Sequence, residues 1–422
     1  MNDLRHNWAG NVRYASARTH QPESMEQLQE IVARSHKVNV FGTRHSFNAI
    51  TDTTEDHISL SKMDQSLSID QAAGTVTVSG GITYAQLCAQ LHGAGRAIHN
   101  MASLPHITVA GAVATATHGS GDGNGNLATA VSGLEIVRAD GEIVRLSRQK
   151  DGEEFLGAVV GLGALGIVAR ITLDTEPAFV MQQEVYENMP IAQSDAHFDE
   201  IFASAYSVSY FIDWQKERVN EVWLKRRLPD GVAQSPAPTF YGGTLASRHL
   251  HPIASFPAEG CTPQMSIPGP WHERLPHFLV DATPASGDEL QTEYFVARRD
   301  AVGAMTAVAS LRAEMASVLK ISEVRSMAAD NLWLSMAYGQ DTVALHFSWN
   351  NDWASLQKLL PLVEERLAPF APRPHWGKLS TLSGQEIRSR YPKMADFQAL
   401  ARRYDPQGKF RNVFLDHAIG DA

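Results

Sequence analysis

Three groups of residues in this chain carry types and spacings that could do chemistry. The first is His45, in Val38-Asn39-Val40-Phe41-Gly42-Thr43-Arg44-His45-Ser46-Phe47-Asn48. An apolar strand runs into a glycine-bearing turn that presents an imidazole beside small polar residues, a setting able to hold a phosphate and offer a nucleophile. His45 therefore reads as a cofactor attachment point. The second group is 100–126, Asn-Met-Ala-Ser-Leu-Pro-His-Ile-Thr-Val-Ala-Gly-Ala-Val-Ala-Thr-Ala-Thr-His-Gly-Ser-Gly-Asp-Gly-Asn-Gly-Asn. Its small side chains leave backbone N–H groups within reach, the material of anion-binding nests, and suit an extended, negatively charged cofactor. Val109, Ala110, Ala112, Val113, Ala114 and Ala116 are too apolar for a flexible surface loop.

The third group is sorted by strand alternation. Period two puts Glu323 and Arg325 on one face of a strand, His346 and Ser348 on one face of another, and Gln291 and Glu293 on one face of a third. Two readings follow. The pattern alone favours a sheet with one wet face, whereas Gln, Glu, Arg, His and Ser are the donors and acceptors of a cavity that grips hydroxyl groups. Lys378, in Pro374-His375-Trp376-Gly377-Lys378, stands where the chain leaves this region and by itself reads as a surface lysine.

Elements that would position these residues are legible in the same way. Ser24 followed by Gln27 resembles a capping box opening a helix with apolar Met25, Leu28, Ile31 and Val32, which leads to the strand ending at Gly42. Strands are expected at His57–Leu60 and Thr75–Ser79, with a helix from about Thr83 carrying Cys88 on its apolar side. A hairpin is expected where Asp140-Gly141 joins Leu134–Ala139 to Glu142–Leu146. This is α+β rather than regular α/β. Around Pro177 the pattern changes to long alternating strands, Glu221–Arg227, Gln291–Val296, Ile321–Ser326 and Val343–Trp349, interrupted by a proline- and glycine-rich stretch at 228–287. A second domain on an antiparallel sheet is expected, with the tail from His375 folding back on the first.

Gly161-Leu162-Gly163-Ala164-Leu165-Gly166 matches G-x-G-x-x-G, but that motif works only at the start of a helix, whose N-terminus faces the pyrophosphate. Ile167–Leu173 alternates like a strand, so a dinucleotide-binding helix is not expected. The glycines either admit a flat ligand close to the backbone or make a turn.

At 422 residues the chain is long enough for two or three domains. Its composition, 44% apolar and 19% charged, is that of a globular protein, and no apolar run approaches the roughly 20 residues of a membrane span. Met1–His6 lacks the basic, apolar pattern of a leader, so the cytoplasm is the expected compartment. A net charge of −10 excludes the basic surface that nucleic-acid binding requires. Cys88 and Cys261 form neither a metal-ligand spacing nor a disulfide framework, and no metal site is expected.

Taken together, Asn7-Trp8-Ala9-Gly10-Asn11, the His45 loop, Asn100–His106, Thr117-His118-Gly119-Ser120-Gly121, Gly269-Pro270-Trp271-His272-Glu273-Arg274, Pro374–Lys378 and Gly408-Lys409-Phe410 closely resemble the alditol (xylitol) oxidases. These belong to the vanillyl-alcohol oxidase superfamily of FAD-linked oxidases, and the resemblance runs almost end to end. It implies a two-domain fold. An α+β FAD-binding domain would occupy 1–177, completed by 375–422, and a cap domain built on an antiparallel sheet with flanking helices would occupy 178–374. It implies FAD joined by one covalent bond from His45 to the flavin 8α-methyl group. Further cofactor contacts would come from Gly42, Thr43, Arg44, Ser46, Ala102, Ser103, His106, Gly111, Thr115, Thr117, His118, Gly119, Ser120, Gly166, Ile167, Val168 and His375.

By the same resemblance, Arg325 and Lys378 would stabilise alkoxide character as hydride leaves carbon for flavin N5, and His346 would be the base. Ser103, Gln291, Glu323 and Ser348 would bind the other hydroxyls, and Ala102 would be the small residue past which oxygen approaches. Two positions depart from the pattern. Arg44 stands where the superfamily commonly has glycine, with a guanidinium that could pair with phosphate, and Ser348 stands where threonine is expected. Ser103 lies where doubly linked members carry cysteine, hence the single bond. The implied reaction takes a terminal primary alcohol of an alditol to the aldehyde with oxygen reduced to hydrogen peroxide. The rival readings are an aldonolactone oxidase or dehydrogenase and a flavin-binding protein without turnover. A monomer is expected.

Overall fold

The computed structural model describes residues 4–229, 231–281 and 288–420; Met1–Asp3 of the stretch read for a leader lie outside it. The expected first helix is Met25–Arg34, with Leu28, Ile31 and Val32 buried. Ser24 accepts from the Gln27 N–H at 3.3 Å, but the Gln27 side chain takes the Glu23 N–H instead of that of Ser24, so the reciprocal box does not form there. Reciprocal boxes occur at Thr83/Gln86 and Ser383/Glu386. The helix delivers strand β1 (Val38–Phe41), the edge of a three-stranded parallel sheet shared with Asp56–Ser59 and Arg18–His20.

A five-stranded antiparallel sheet follows, in the order Ser68–Asp70, Thr75–Ser79, β2 (Ile167–Asp174), Val131–Val137, Ile143–Ser147. The Asp140-Gly141 hairpin is present, with Gly141 at φ +84°, though its strands stop at Val137 and restart at Ile143. Gly161–Gly166 leads into β2 and not into a helix. Small residues 109–114 form the short helix α1 (Val109–Ala114).

The region after Pro177 contains a ten-stranded antiparallel sheet. Its strands include β3 (Arg218–Leu228), β4 (Glu289–Ala297), β5 (Leu319–Met327) and β6 (Thr342–Asn350). Ser207–Ile212 lies between β3 and β5, the central run continues β5, β6, β4, and Arg373–Pro374 closes that side. The register aligns Glu323 with His346 and His346 with Glu293 in one cross-strand row, and Ser348 with Gln291 in the next. A slip of one residue in any strand would turn its polar set away from the others. On the opposite face Tyr294, Val324, Leu345, Phe347 and Trp349 pack with Met305, Val308, Leu356 and Leu360 of the flanking helices.

Two sets of contacts bring this face to the first region. Gly121 N donates to Ser326 O at 3.0 Å and Ser120 Oγ donates to Val208 O, stitching the 118–121 turn to the sheet. The C-terminal tail returns as well: Lys409 Nζ donates to Val32 O at 2.7 Å and Ala139 O at 2.6 Å, and Asn412 reaches Ile50 O and Asp52 O. Among the described residues no helix is long and apolar enough to cross a membrane, and no group of three or more His, Cys, Asp or Glu is placed to hold a metal.

Candidate active site

One long cleft runs from the β1 turn, over α1 and the Gly161–Gly166 turn, to the polar face of β4, β5 and β6. Its first half is lined by glycines packed too closely against neighbouring chain to carry a side chain. A Cβ on Gly42 would stand 2.1 Å from Thr108 Oγ1, on Gly80 2.2 Å from Val168 O, on Gly81 2.5 Å from Leu60 O, and on Gly166 2.4 Å from Val137 O. Bare backbone therefore forms much of the wall beside Ala102, Gly111, Thr115 and Thr117, a shape that fits an extended, flat cofactor such as FAD.

His45 sits half-buried in this wall, 5.0 Å from the Trp8 ring on one side and 5.0 Å from the His106 ring on the other. Burial, then His106 and Arg44, lower its pKa to about 3, so the imidazole is neutral. The turn is tied down from two directions. Asn7 and Asn11 donate to Ser46 O and Phe47 O, and Asn48 Nδ2 donates to Trp376 O at 2.9 Å and Lys378 O at 2.7 Å. Arg44 adopts φ +65°, the left-handed conformation that glycine enters most cheaply, and its guanidinium donates to His6 O at 3.0 Å.

The far half is built around a residue the sequence placed on the right face but gave no role. Glu293, 1% exposed, accepts from Lys378 Nζ at 2.7 Å, Arg325 Nη2 at 2.8 Å and His118 Nε2 at 3.1 Å. Burial disfavours its charge, but Lys378, His118 and Arg325 outweigh that and hold the carboxyl well below the ordinary range. Lys378 reaches this point because the segment after Arg373 follows the outer edge of β4, with His375 N bonded to Glu293 O and Leu379 N to Gln291 O, both at 3.0 Å. Burial lowers the Lys378 pKa and Glu293 pulls it back.

Lys378 Nζ also lies 2.8 Å from His346 Nδ1, and His346 Nε2 lies 3.3 Å from Ser348 Oγ. Burial, with Lys378 next, lowers the His346 pKa to about 3. Glu323 accepts from His277 at 2.7 Å and stands 3.5 Å from Arg325 Nε. Arg325 Nη1 lies 3.4 Å from Ser103 Oγ, which brings the 100–126 segment to the sheet. Gln291 Nε2 donates to Glu289 at 2.5 Å.

The cleft thus gathers Gly42, Thr43, Arg44, His45, Ser46, Ala102, Ser103, Gly111, Thr115, Thr117, His118, Gly166, Val168, Gln291, Glu323, Arg325, His346, Ser348, His375 and Lys378. It does not gather every residue named from the sequence. Ile167 points into the core between β2 and the first helix, because it alternates with Val168, and Ser120 is turned to the Val208 carbonyl. Gly119 packs on Asn100, and His106 stands behind His45. Glu293 was discoverable from its shared period with Gln291; His277, in the loop-rich stretch, offered no periodic signal.

Comparisons with known proteins agree with this geometry. A model for an FAD binding domain matches residues 17–147, and a model for D-arabinono-1,4-lactone oxidase matches residues 290–418. An alditol oxidase from a Streptomyces species is 47% identical over 97% of this chain and 97% of its own length. An L-gulono-1,4-lactone dehydrogenase from Mycobacterium tuberculosis is 29% identical over the full length of both chains. Among solved structures, a cholesterol oxidase from B. sterolicum superposes with a TM-score of 0.78 at 12% identity, covering 98% of this chain and 96% of its own, a likeness of fold alone. With that full-length identity added to the FAD-domain match, the chain belongs to the alditol oxidase family of the vanillyl-alcohol oxidase superfamily, the FAD-linked oxidases.

Proposed function

We propose that this protein oxidises the terminal primary alcohol of an alditol of the xylitol or sorbitol type to the aldehyde, with oxygen as electron acceptor. The observation that carries the reading is the row Glu293, His346, Glu323, with Arg325 and Lys378 bridged by Glu293, on a buried sheet face at the end of a backbone-walled cleft. Keeping that many ionisable groups out of water is costly, and a passive binder gains nothing from it. The 47% identity to an alditol oxidase against 29% to a lactone dehydrogenase supports the same substrate class.

In this reading residues 1–177 and 375–422 hold FAD, and 178–374 cap it and bind substrate. FAD held there would supply the hydride acceptor and the route for electrons to oxygen, with hydrogen peroxide as product. His45 is the covalent anchor, its lone pair kept available by burial. Thr43, Ser46 and the 115–118 segment line the bed of the cofactor, and Ala102 leaves the small opening for oxygen. Arg325 holds the reacting oxygen and stabilises negative charge there.

His346 and Lys378 act as one base. When Lys378 is neutral, His346 donates from Nδ1 to Nζ and its Nε2 carries the lone pair, facing Ser348 Oγ at 3.3 Å. The substrate hydroxyl proton enters at Nε2 while the Nδ1 proton passes to Nζ, leaving an ammonium beside the new carbonyl and against Glu293. Glu323, Gln291, Ser103 and Ser348 bind the remaining hydroxyls.

Peroxide production on xylitol, sorbitol, mannitol, glycerol and aldonolactones tests the reaction, and activity confined to lactones would overturn it. Flavin should stay with the polypeptide after acid precipitation and be released from His45→Ala. Loss of all flavin from the unaltered protein would rule out the anchor.

A further inference from the structure

Lys225 takes no part in the chemistry above, yet it is 1% exposed in the middle of β3. All three of its N–H donors are used: Nζ donates to Arg274 O at 2.8 Å, Leu275 O at 2.6 Å and Pro276 O at 2.8 Å. Burial drives the Lys225 pKa well down, but three carbonyl acceptors together require the three donors of an ammonium, which thereby fixes three successive carbonyls of an irregular turn that Thr262 Oγ1 also grips at Pro276 O, 2.8 Å away. The next residue is His277. Its N–H and that of Phe278 both donate to Ser103 O at 3.2 Å, and its ring stands edge-on to Phe211 and Trp223, with centroids 5.5 and 5.2 Å away.

Burial, with Lys225 next, lowers the His277 pKa to about 4, so the ring is neutral and its Nε2–H donates to the Glu323 carboxylate at 2.7 Å. Without this bond Glu323 would keep only the 3.5 Å contact to Arg325 Nε and would be drawn toward the guanidinium. The turn therefore orients both Glu323 and the Ser103 backbone at the mouth of the sheet face.

We propose that Lys225 and His277 are positioning residues for hydroxyl recognition, Lys225 fixing the 274–276 turn and His277 aiming the Glu323 carboxylate at the substrate. This rests on the alditol reading above. The route predicts a split in the kinetic constants, since Glu323 grips a hydroxyl that does not react, whereas the base and the Arg325–Glu293 pair stay in place.

The experiment uses the flavin-loaded enzyme with xylitol, His277→Leu, His277→Gln, Lys225→Met and the Lys225→Met/His277→Leu double variant. His277→Leu should raise KM about tenfold with kcat within about twofold, the loss of one hydrogen bond to a charged group. His277→Gln, which keeps a donor, should recover most of it. Lys225→Met should show the same split, and the double variant should be no worse than the poorer single variant, because both act through Glu323. Should Lys225→Met fail to fold, His277→Leu and His277→Gln decide alone, as they leave the carbonyl contacts intact. Unchanged KM in His277→Leu, an equal fall in kcat, or additive losses in the double variant would overturn the proposal. Wild-type enzyme without peroxide production on xylitol, sorbitol or mannitol would instead overturn the substrate assignment.

Discussion

Glu293→Gln is the most demanding test of how the candidate site is held. The carboxylate faces two cations at 2.7 and 2.8 Å and a histidine at 3.1 Å, with almost no water. At an effective dielectric of about 20, each cation pair gains about 4–6 kcal/mol, and the desolvation of three buried charges takes back several. Removing one partner of such a set costs about 3–5 kcal/mol, because the remaining charges stay buried. Glutamine keeps the shape but turns an NH2 group toward one of the cations.

Two consequences can be measured. The thermal midpoint of the flavin-loaded variant should fall clearly below wild type, and kcat should drop about 100-fold, the scale expected when reacting groups shift by about 1 Å. The second consequence has a sign. In the proposed mechanism the His346–Lys378 pair must be unprotonated to take the substrate proton, so kcat/KM rises with pH through the pKa of the pair. The Glu293 charge raises the Lys378 pKa. Its removal must lower the pKa of the pair and move the acid limb of the pH profile to lower pH. A variant with wild-type kcat, or an acid limb displaced to higher pH, would refute both the bridging role of Glu293 and the shared base.

Other outcomes follow from single contacts. Asn48→Ala strips donors from the Trp376 and Lys378 carbonyls and should lower stability by about 2 kcal/mol or more, measured by thermal melting, with a drop in kcat because the Lys378 segment loses its tie to the His45 turn. Gly42→Ala should reduce bound flavin, read from the visible absorbance per chain, since its Cβ would meet Thr108 Oγ1 at 2.1 Å; Thr108→Ala in the same chain should restore much of it. His57 is fully buried against Phe41 and Tyr14, and burial lowers its pKa from 6.5 to about 4. A depressed histidine costs stability as pH falls below its unfolded value, here about 2 kcal/mol between pH 8 and pH 5. His57→Phe should therefore gain about that much relative to wild type at pH 5 compared with pH 8 in denaturant melts, and an equal effect at both would contradict the neutral assignment.

The three polar strands were readable because period two is a local property: Gln291/Glu293, Glu323/Arg325 and His346/Ser348 each declare a common face. Which way that face looks is not local. Pattern favours water, and the structure buries it because the 118–121 turn and the 375–379 segment lie against the sheet. His45 was legible as a turn residue after an apolar strand, but its ring contacts with Trp8 and His106 depend on chain segments 37 and 61 positions away. His277 and Lys225 were out of reach for a related reason. One lies in an irregular loop and the other in a strand whose alternation marks it only as inward-facing, and their bonds to Glu323 and to the 274–276 carbonyls are set by tertiary packing.

The cations on the buried face already have carboxylate partners. Glu293 and Glu323 oppose Arg325 and, when it is protonated, Lys378, while His277 and His346 are held neutral by burial. A site with one uncompensated cation would bind anions in the ground state and would hold a sugar acid more tightly than an alcohol. Here each cation is already neutralised before substrate arrives, so a neutral polyol enters at little electrostatic cost. In the proposed mechanism Lys378 is neutral at that stage and becomes an ammonium against Glu293 only when the hydroxyl proton reaches the His346–Lys378 pair, so the carboxylate gains its second cation as the reacting oxygen gives up its proton. On the proposed mechanism Glu293 thus favours the protonated His346–Lys378 pair over the resting one, which is the difference a catalyst requires and a binding protein does not.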